Sequence, residues 1–124
     1  MARNVLIVDD DDSVLHILRK TLENADLTVE TASSGRACIN KIQEGFRGLI
    51  LMDIVMPEMD GWDTIREIVE KDLYKDIIIC MLTGQDNPSE KMNPFKEYVL
   101  DYLRKPFDYT NFVEIIREYL SYLD

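Results

Sequence analysis

Five polar side chains close or follow apolar runs in this 124-residue chain: Asp9, Asp10, Asp53, Thr83 and Lys105. Brought to one place, they could carry phosphoryl chemistry. Two carboxylates about 4 Å apart repel by roughly 4 kcal/mol at an effective dielectric of about 20, so three together need positive charge among them. Lys105 supplies one unit and a divalent cation two, which balances the three acids. Magnesium suits such a place because it is a hard ion, takes oxygen ligands, keeps several waters and is often held by carboxylates plus a phosphate oxygen. The protein's part in phosphoryl transfer is mostly to position groups and neutralise charge, so a carboxylate nucleophile, a metal, a lysine and a hydroxyl suffice. Asp53, alone at its strand end, is the expected nucleophile. Gly84 leaves room for a phosphoryl group whose oxygens Thr83 and Lys105 would contact.

Singly, each residue has a blander reading. Residues 9–12 are an acidic helix start favoured by the helix dipole. Asp53 is a turn residue and Thr83 a capping or turn hydroxyl. Lys105 is a surface cation and Tyr102 a half-buried strand aromatic. Only joint placement overturns these readings. Asp11 and Asp12 keep the bland role, and a calcium loop is excluded because its alternating spacing and central glycine are missing. His16 is expected at the surface or its boundary, and the methionines as core filling.

Joint placement requires strands that end together. Apolar runs at 5–8, 49–52, 77–82 and 102–103 read as parallel strands, their continuity implying burial on both faces. Residues 28–32 alternate, as an edge strand does. Between them lie groups with helical spacing: Val14, Leu18 and Leu22; Cys38, Ile42 and Phe46; Ile65, Ile68 and Val69; Val113, Ile116, Leu120 and Leu123. Helix starts are expected at Asp12 or Ser13, Gly61, Asn87-Pro88 and Asp108. The segment 88–98 is the exception, because Pro94 should end or kink a helix there. Strand and helix alternate five times. This predicts one α/β domain over 1–124, an open five-stranded parallel sheet with helices on both faces, whose working groups sit at the carboxyl ends of the strands.

Composition narrows the function further. The net charge of -10 repels phosphate backbones and anionic lipid, and no basic patch overrides it, so direct nucleic-acid binding is not expected. Two cysteines and one histidine cannot close a zinc site. Cys38 and Cys80 read as reduced thiols in cytoplasm. The longest fully apolar stretch, 77–82, is far short of a membrane span, and no signal peptide is expected.

The motifs together resemble the receiver domain of two-component response regulators. They run from Val8-Asp9-Asp10, through Asp53-Ile54-Val55-Met56-Pro57-Glu58-Met59-Asp60-Gly61, to Thr83-Gly84 and Lys105-Pro106-Phe107. The resemblance covers essentially the whole chain and implies the doubly wound, flavodoxin-like and CheY-like strand order 2-1-3-4-5. It implies that Asp53 accepts a phosphoryl group from the phosphohistidine of a sensor histidine kinase or a phosphotransfer protein. Mg2+ would be held by Asp10, Asp53 and the backbone carbonyl of Val55, with Asp9 assisting. Thr83 would move toward the phosphoryl group while Tyr102 turns inward, reshaping the surface of the fourth helix, last strand and fifth helix. The Lys105-Pro106 peptide is expected to be cis, as proline permits. Val55 and Gln85 match positions that tune loss of the phosphoryl group, and valine predicts a moderately long-lived state. The domain would assist its own phosphorylation and slow dephosphorylation, without being an enzyme on a separate substrate.

Eight of the eleven aromatic residues lie beyond position 94. Phe95, Tyr98, Tyr109, Tyr119 and Tyr122 are assigned to a face for an output partner or a homodimer, with Tyr119 or Tyr122 left partly exposed. Departures from the family gather there too, at Pro94 and at Tyr98-Val99-Leu100-Asp101, where receivers commonly have a small turn. With no output module in the chain, any effect is expected to pass through another protein or a module outside it. The main alternative is a receiver fold that docks without phosphorylation. A haloacid dehalogenase type phosphatase lacks its second acid at Val55 and room for a cap. A flavodoxin would not place residues 9–12 against a flavin phosphate.

Overall fold

The computed structural model describes residues 4–84, 94–105 and 109–123, with backbone alone at 109 and 110. The strands are β1 (Asn4–Val8), β2 (Thr28–Ala32), β3 (Gly48–Asp53), β4 (Ile77–Thr83) and β5 (Val99–Arg104). The described helices are α1 (Asp12–Glu23), α2 (Gly35–Gln43), α3 (Gly61–Glu70) and α4 (Tyr109–Ser121), the last being the one anticipated as the fifth. All neighbouring strands are parallel, in the order β2-β1-β3-β4-β5, so β2 is an edge strand as its alternation predicted.

Strand pleating sends successive side chains to opposite faces, and two cores form accordingly. Leu6, Val8, Ile50, Met52, Ile79 and Met81 pack with α2 and α3. Val5, Ile7, Leu49, Leu51, Cys80 and Leu82 pack with α1 and α4. Burial holds both cysteines as inert thiols, pushing Cys38 up to about 12 and Cys80 upward too.

Local signals explain the helix starts. Asp11 caps α1, its carboxylate accepting from the Ser13 N–H, and Ser34 caps α2 through the Ala37 N–H. Asp60 and Asp63 form a reciprocal capping box at α3. Gly61 is required for a different reason: a Cβ there would lie 2.9 Å from the Asp53 carbonyl oxygen and 3.0 Å from the Ile54 Cα. Only glycine lets α3 seat its first turn against the end of β3.

Two expectations need correction. Leu15 rather than Val14 joins Leu18 and Leu22 in the buried stripe of α1. Residues 99–101, anticipated as an altered turn, belong to β5. Its register against β4 shifts between Ile79 and Cys80, so Val99 and Asp101 are paired and Leu100 is the extra residue of a bulge. The expectation that Tyr119 or Tyr122 is partly exposed holds through Tyr122, at 56%, while Tyr119 is buried. The helix anticipated over 88–98 falls mostly outside the described residues. Its described end, past Pro94, is a turn followed by one 3-10 turn at Lys96–Tyr98. Among the described residues no helix is long and apolar enough to cross a membrane.

Candidate functional site

Strand register places the polar residues. Val8 pairs with Met52, Asp53 with Leu82, and Thr83 with Arg104, so Asp9 and Asp53 share one level at the carboxyl edge, with Thr83 one step and Lys105 two steps beyond it. The Lys105 N–H donates to the Thr83 carbonyl at 2.7 Å, fastening the last turn of β5 to the end of β4.

Carboxylate oxygens of Asp9, Asp10 and Asp53 all lie within 4.8 Å of one another. Asp9 is 1% exposed and Asp53 8%, whereas Asp10 faces solvent. The Lys105 ammonium donates to Asp9 Oδ2 at 2.8 Å and stands 3.6 Å from Asp53 Oδ1. Asp9 also accepts the Asp11 N–H at 3.0 Å, which fixes the turn leading into α1. Three acids against one ammonium leave the cluster two negative charges in excess.

That excess is visible in the acid-base behaviour of Asp53. Burial first, then the Asp9 charge, push its carboxyl up to about 6 from 3.8, with Lys105 and the Val55 backbone N–H opposing and Asp10 adding. Burial alone would lower the Lys105 ammonium; the hydrogen bond to Asp9 and the charge of Asp53 outweigh it and raise the pKa. Oxygen donors, a deficit of two positive charges and one solvent-facing acid suit a hard divalent cation.

The remaining anticipated residues divide. Val55 joins the cluster through its backbone, and its side chain is 72% exposed beside Asp53. Thr83 is buried, and a methyl group added to Gly84 would meet nothing within 4 Å among the described residues. Tyr102 lies outside the cluster, half-buried on the α3 face and 6.4 Å between ring centroids from Trp62. Gln85, Pro106 and the Lys105-Pro106 peptide fall outside the described residues, as does the side chain of Tyr109. Of the expected partner face, Phe95 and Tyr98 are half-buried together, with Tyr74 edge-on to Tyr98 at 5.4 Å. Tyr119 is instead held inward, its hydroxyl donating to Asp101 Oδ2.

Two residues escaped the sequence reading. Asp11, taken as a solvated acid, both caps α1 and orients Asp9, a role visible in the Asp-x-Ser spacing of a cap. Trp62 is 5% exposed at the start of α3, and among the described residues its Nε1–H finds no acceptor. An orphaned buried donor costs on the order of 1–3 kcal/mol.

Residues 5–117 match the family described as the response regulator receiver domain. The chain is 34% identical over 122 residues to the chemotaxis protein CheY of Halobacterium salinarum, covering 98% of this chain and 99% of that one. A CheY-like receiver domain protein of Methanospirillum hungatei JF-1 superposes with a TM-score of 0.91 at 42% identity, covering 97% of this chain and 95% of the other. The regulator TrrA of Thermotoga maritima, solved in complex with Mg(2+)-BeF, gives 0.80 at 26% identity, covering 97% and 100%. Matched transcriptional regulators are longer, and the chain spans 26% to 44% of their length. The chain belongs to the receiver domain family of two-component response regulators.

Proposed function

We propose that this receiver takes a phosphoryl group onto Asp53 from a phosphohistidine and signals through the change of shape that follows. The observation that carries the reading is the gathering of Asp9, Asp10 and Asp53 around a charge deficit that Lys105 only partly meets. A carboxylate oxygen of Asp53 attacks phosphorus, the phosphorus–nitrogen bond breaks, and the imidazole leaves with the electron pair. Lys105, already held by Asp9, is placed to meet the charge on the transferred oxygens. Thr83 offers its hydroxyl from the adjacent strand end, and Gly84 leaves the approach open. Mg2+, held by Asp10, Asp53 and the Val55 carbonyl with Asp9 assisting, supplies the remaining positive charge that keeps the acids ionised together.

Val55 presents an apolar side chain where a polar one could orient attacking water, so the acyl phosphate is expected to persist for a moderately long time. The donor is a sensor histidine kinase or a phosphotransfer protein. Output passes through β5, the segment before it and α4, the region where this chain departs most from its family. The domain works in cytoplasm, where such donors reside.

Incubation with acetyl phosphate and magnesium, followed by intact-mass measurement, tests the assignment. A single phosphoryl adduct that requires magnesium and disappears in Asp53→Asn is expected. Equal labelling of Asp53→Asn removes that residue as acceptor. No adduct with any donor, phosphohistidine included, leaves a docking module that signals without phosphorylation.

A further inference from the structure

Among the described residues the buried Nε1–H of Trp62 has no acceptor, and buried donors in folded proteins are rarely left unpaired. The ring is packed into the core on the α2 and α3 face of the sheet. The acceptor must come from within. We infer that the Tyr102 hydroxyl accepts this hydrogen bond in the phosphorylated form, making Trp62 a latch for the inward position of Tyr102. The inference rests on the phosphoacceptor reading above and names the contact through which that site would reach its output face.

The two rings are already neighbours, with centroids 6.4 Å apart and planes tilted by 48°. A phenol oxygen and an indole nitrogen both project beyond their ring centres, so a change of Tyr102 side-chain torsions can join them without refolding the backbone. Tyr102 is half-buried and packs against the core cluster that holds Trp62.

The rings also ride on different parts of the molecule. Trp62 is tied to the phosphoacceptor strand: the Gly61 N–H donates to the Ile54 carbonyl at 2.8 Å, and α3 sits directly against the Asp53 backbone. Tyr102 is tied to Thr83. It pairs with Met81, two residues before Thr83 on the same face of β4, and Lys105 fastens the two strand ends. A phosphoryl group on Asp53 that draws Thr83 toward it therefore moves the strand pair carrying Tyr102 relative to the helix carrying Trp62. A hydrogen bond absent from this structure and made on phosphorylation is the differential contact that a two-state switch requires.

Trp62 is the single tryptophan of the chain, so its fluorescence reads the latch directly. Hydrogen bonding from the indole nitrogen lowers the energy of its polar excited state. Addition of magnesium with beryllofluoride should red-shift the emission of wild type, and Tyr102→Phe, which keeps the ring but not the hydroxyl, should abolish that shift. The bound beryllofluoride is followed separately by its fluorine resonance. Tyr102→Phe and Trp62→Phe should each weaken its binding by about fivefold, the low end for coupling between distinct sites, and the double variant by no more than either. An equal red shift in Tyr102→Phe, or losses that multiply in the double variant, overturns the latch while leaving Asp53 as acceptor. No bound beryllofluoride in wild type overturns both.

Discussion

Asp53 and Asp101 are two strand carboxylates with different neighbours: Lys105 stands 3.6 Å from Asp53, whereas the Tyr119 hydroxyl and the Tyr102 N–H both donate to Asp101. Asp53 is buried among two further acids, and its single cation is shared with Asp9, so its charge is under-compensated. Asp101 is exposed on the edge strand, where water solvates its charge, and its partners are neutral. Burial and then the hydrogen bond to Asp101 raise the Tyr119 pKa well above its ordinary value, so the phenol stays protonated as a donor. The difference separates an acid whose charge the described residues under-compensate from one whose needs are met. Unmet charge at a buried site marks chemistry, and a satisfied acid on a surface marks a structural pin.

The largest effect expected from breaking this contrast comes from Lys105→Met. Removing the one cation leaves Asp9 and Asp53 facing each other, and should cost roughly 2–3 kcal/mol in urea unfolding without magnesium. Added magnesium should recover part of the loss, because it replaces positive charge at the same acids, and binding to the native form alone adds stability by mass action. Full stability in the variant, or a loss that magnesium leaves untouched, would mean that the cluster is not under-compensated.

The chemical end of the molecule was readable before its structure because continuous apolar runs announce strands buried on both faces, and their terminal residues then fall at one edge. Asp9, Asp10, Asp53, Thr83 and Lys105 were all found that way, with the strand order supplied by family resemblance. The other end was less legible for physical reasons. The edge strand β5 has mixed burial, so neither its start at Val99 nor the bulge at Leu100 leaves a periodic trace. In α4 the buried stripe consists of Phe112, Ile116, Tyr119 and Leu120, with Val113 and Leu123 half-buried beside it, so helical spacing alone left open which of Tyr119 and Tyr122 faces inward. The Tyr119 to Asp101 hydrogen bond joins two elements across the fold and has no local signature. Trp62 carries no sequence signal of its own, since an orphaned N–H is visible only when its neighbours are placed.

The pH dependence sharpens the comparison next. With its pKa at about 6 in the fold against an ordinary 3.8, Asp53 keeps a proton through a range where the unfolded chain has released it. The folded form then binds more protons, so without magnesium stability falls as pH rises from about 4 to about 6. The melting temperature of Asp53→Asn minus that of wild type should therefore widen in favour of the variant across this window. Magnesium should narrow it. A difference independent of pH would show that Asp53 ionises in the fold as easily as in the unfolded chain.

Tyr119→Phe is the smallest and most discriminating test, because it removes one oxygen from the satisfied acid and leaves the packing intact. A net hydrogen bond contributes about 1 kcal/mol, and Asp101 is exposed enough for water to replace the lost donor, so the expected cost is about that or less. The phenyl ring would stay in the core with Phe112 and Ile116, since its burial is apolar. The cost should be the same with and without magnesium, and phosphorylation at Asp53 should proceed as in wild type. A magnesium-dependent cost would tie the Tyr119 contact to the charge state of the distant acids. Asp101 would then be a second responder to phosphorylation, and the division between chemical edge and structural pin would fail at its own clearest example.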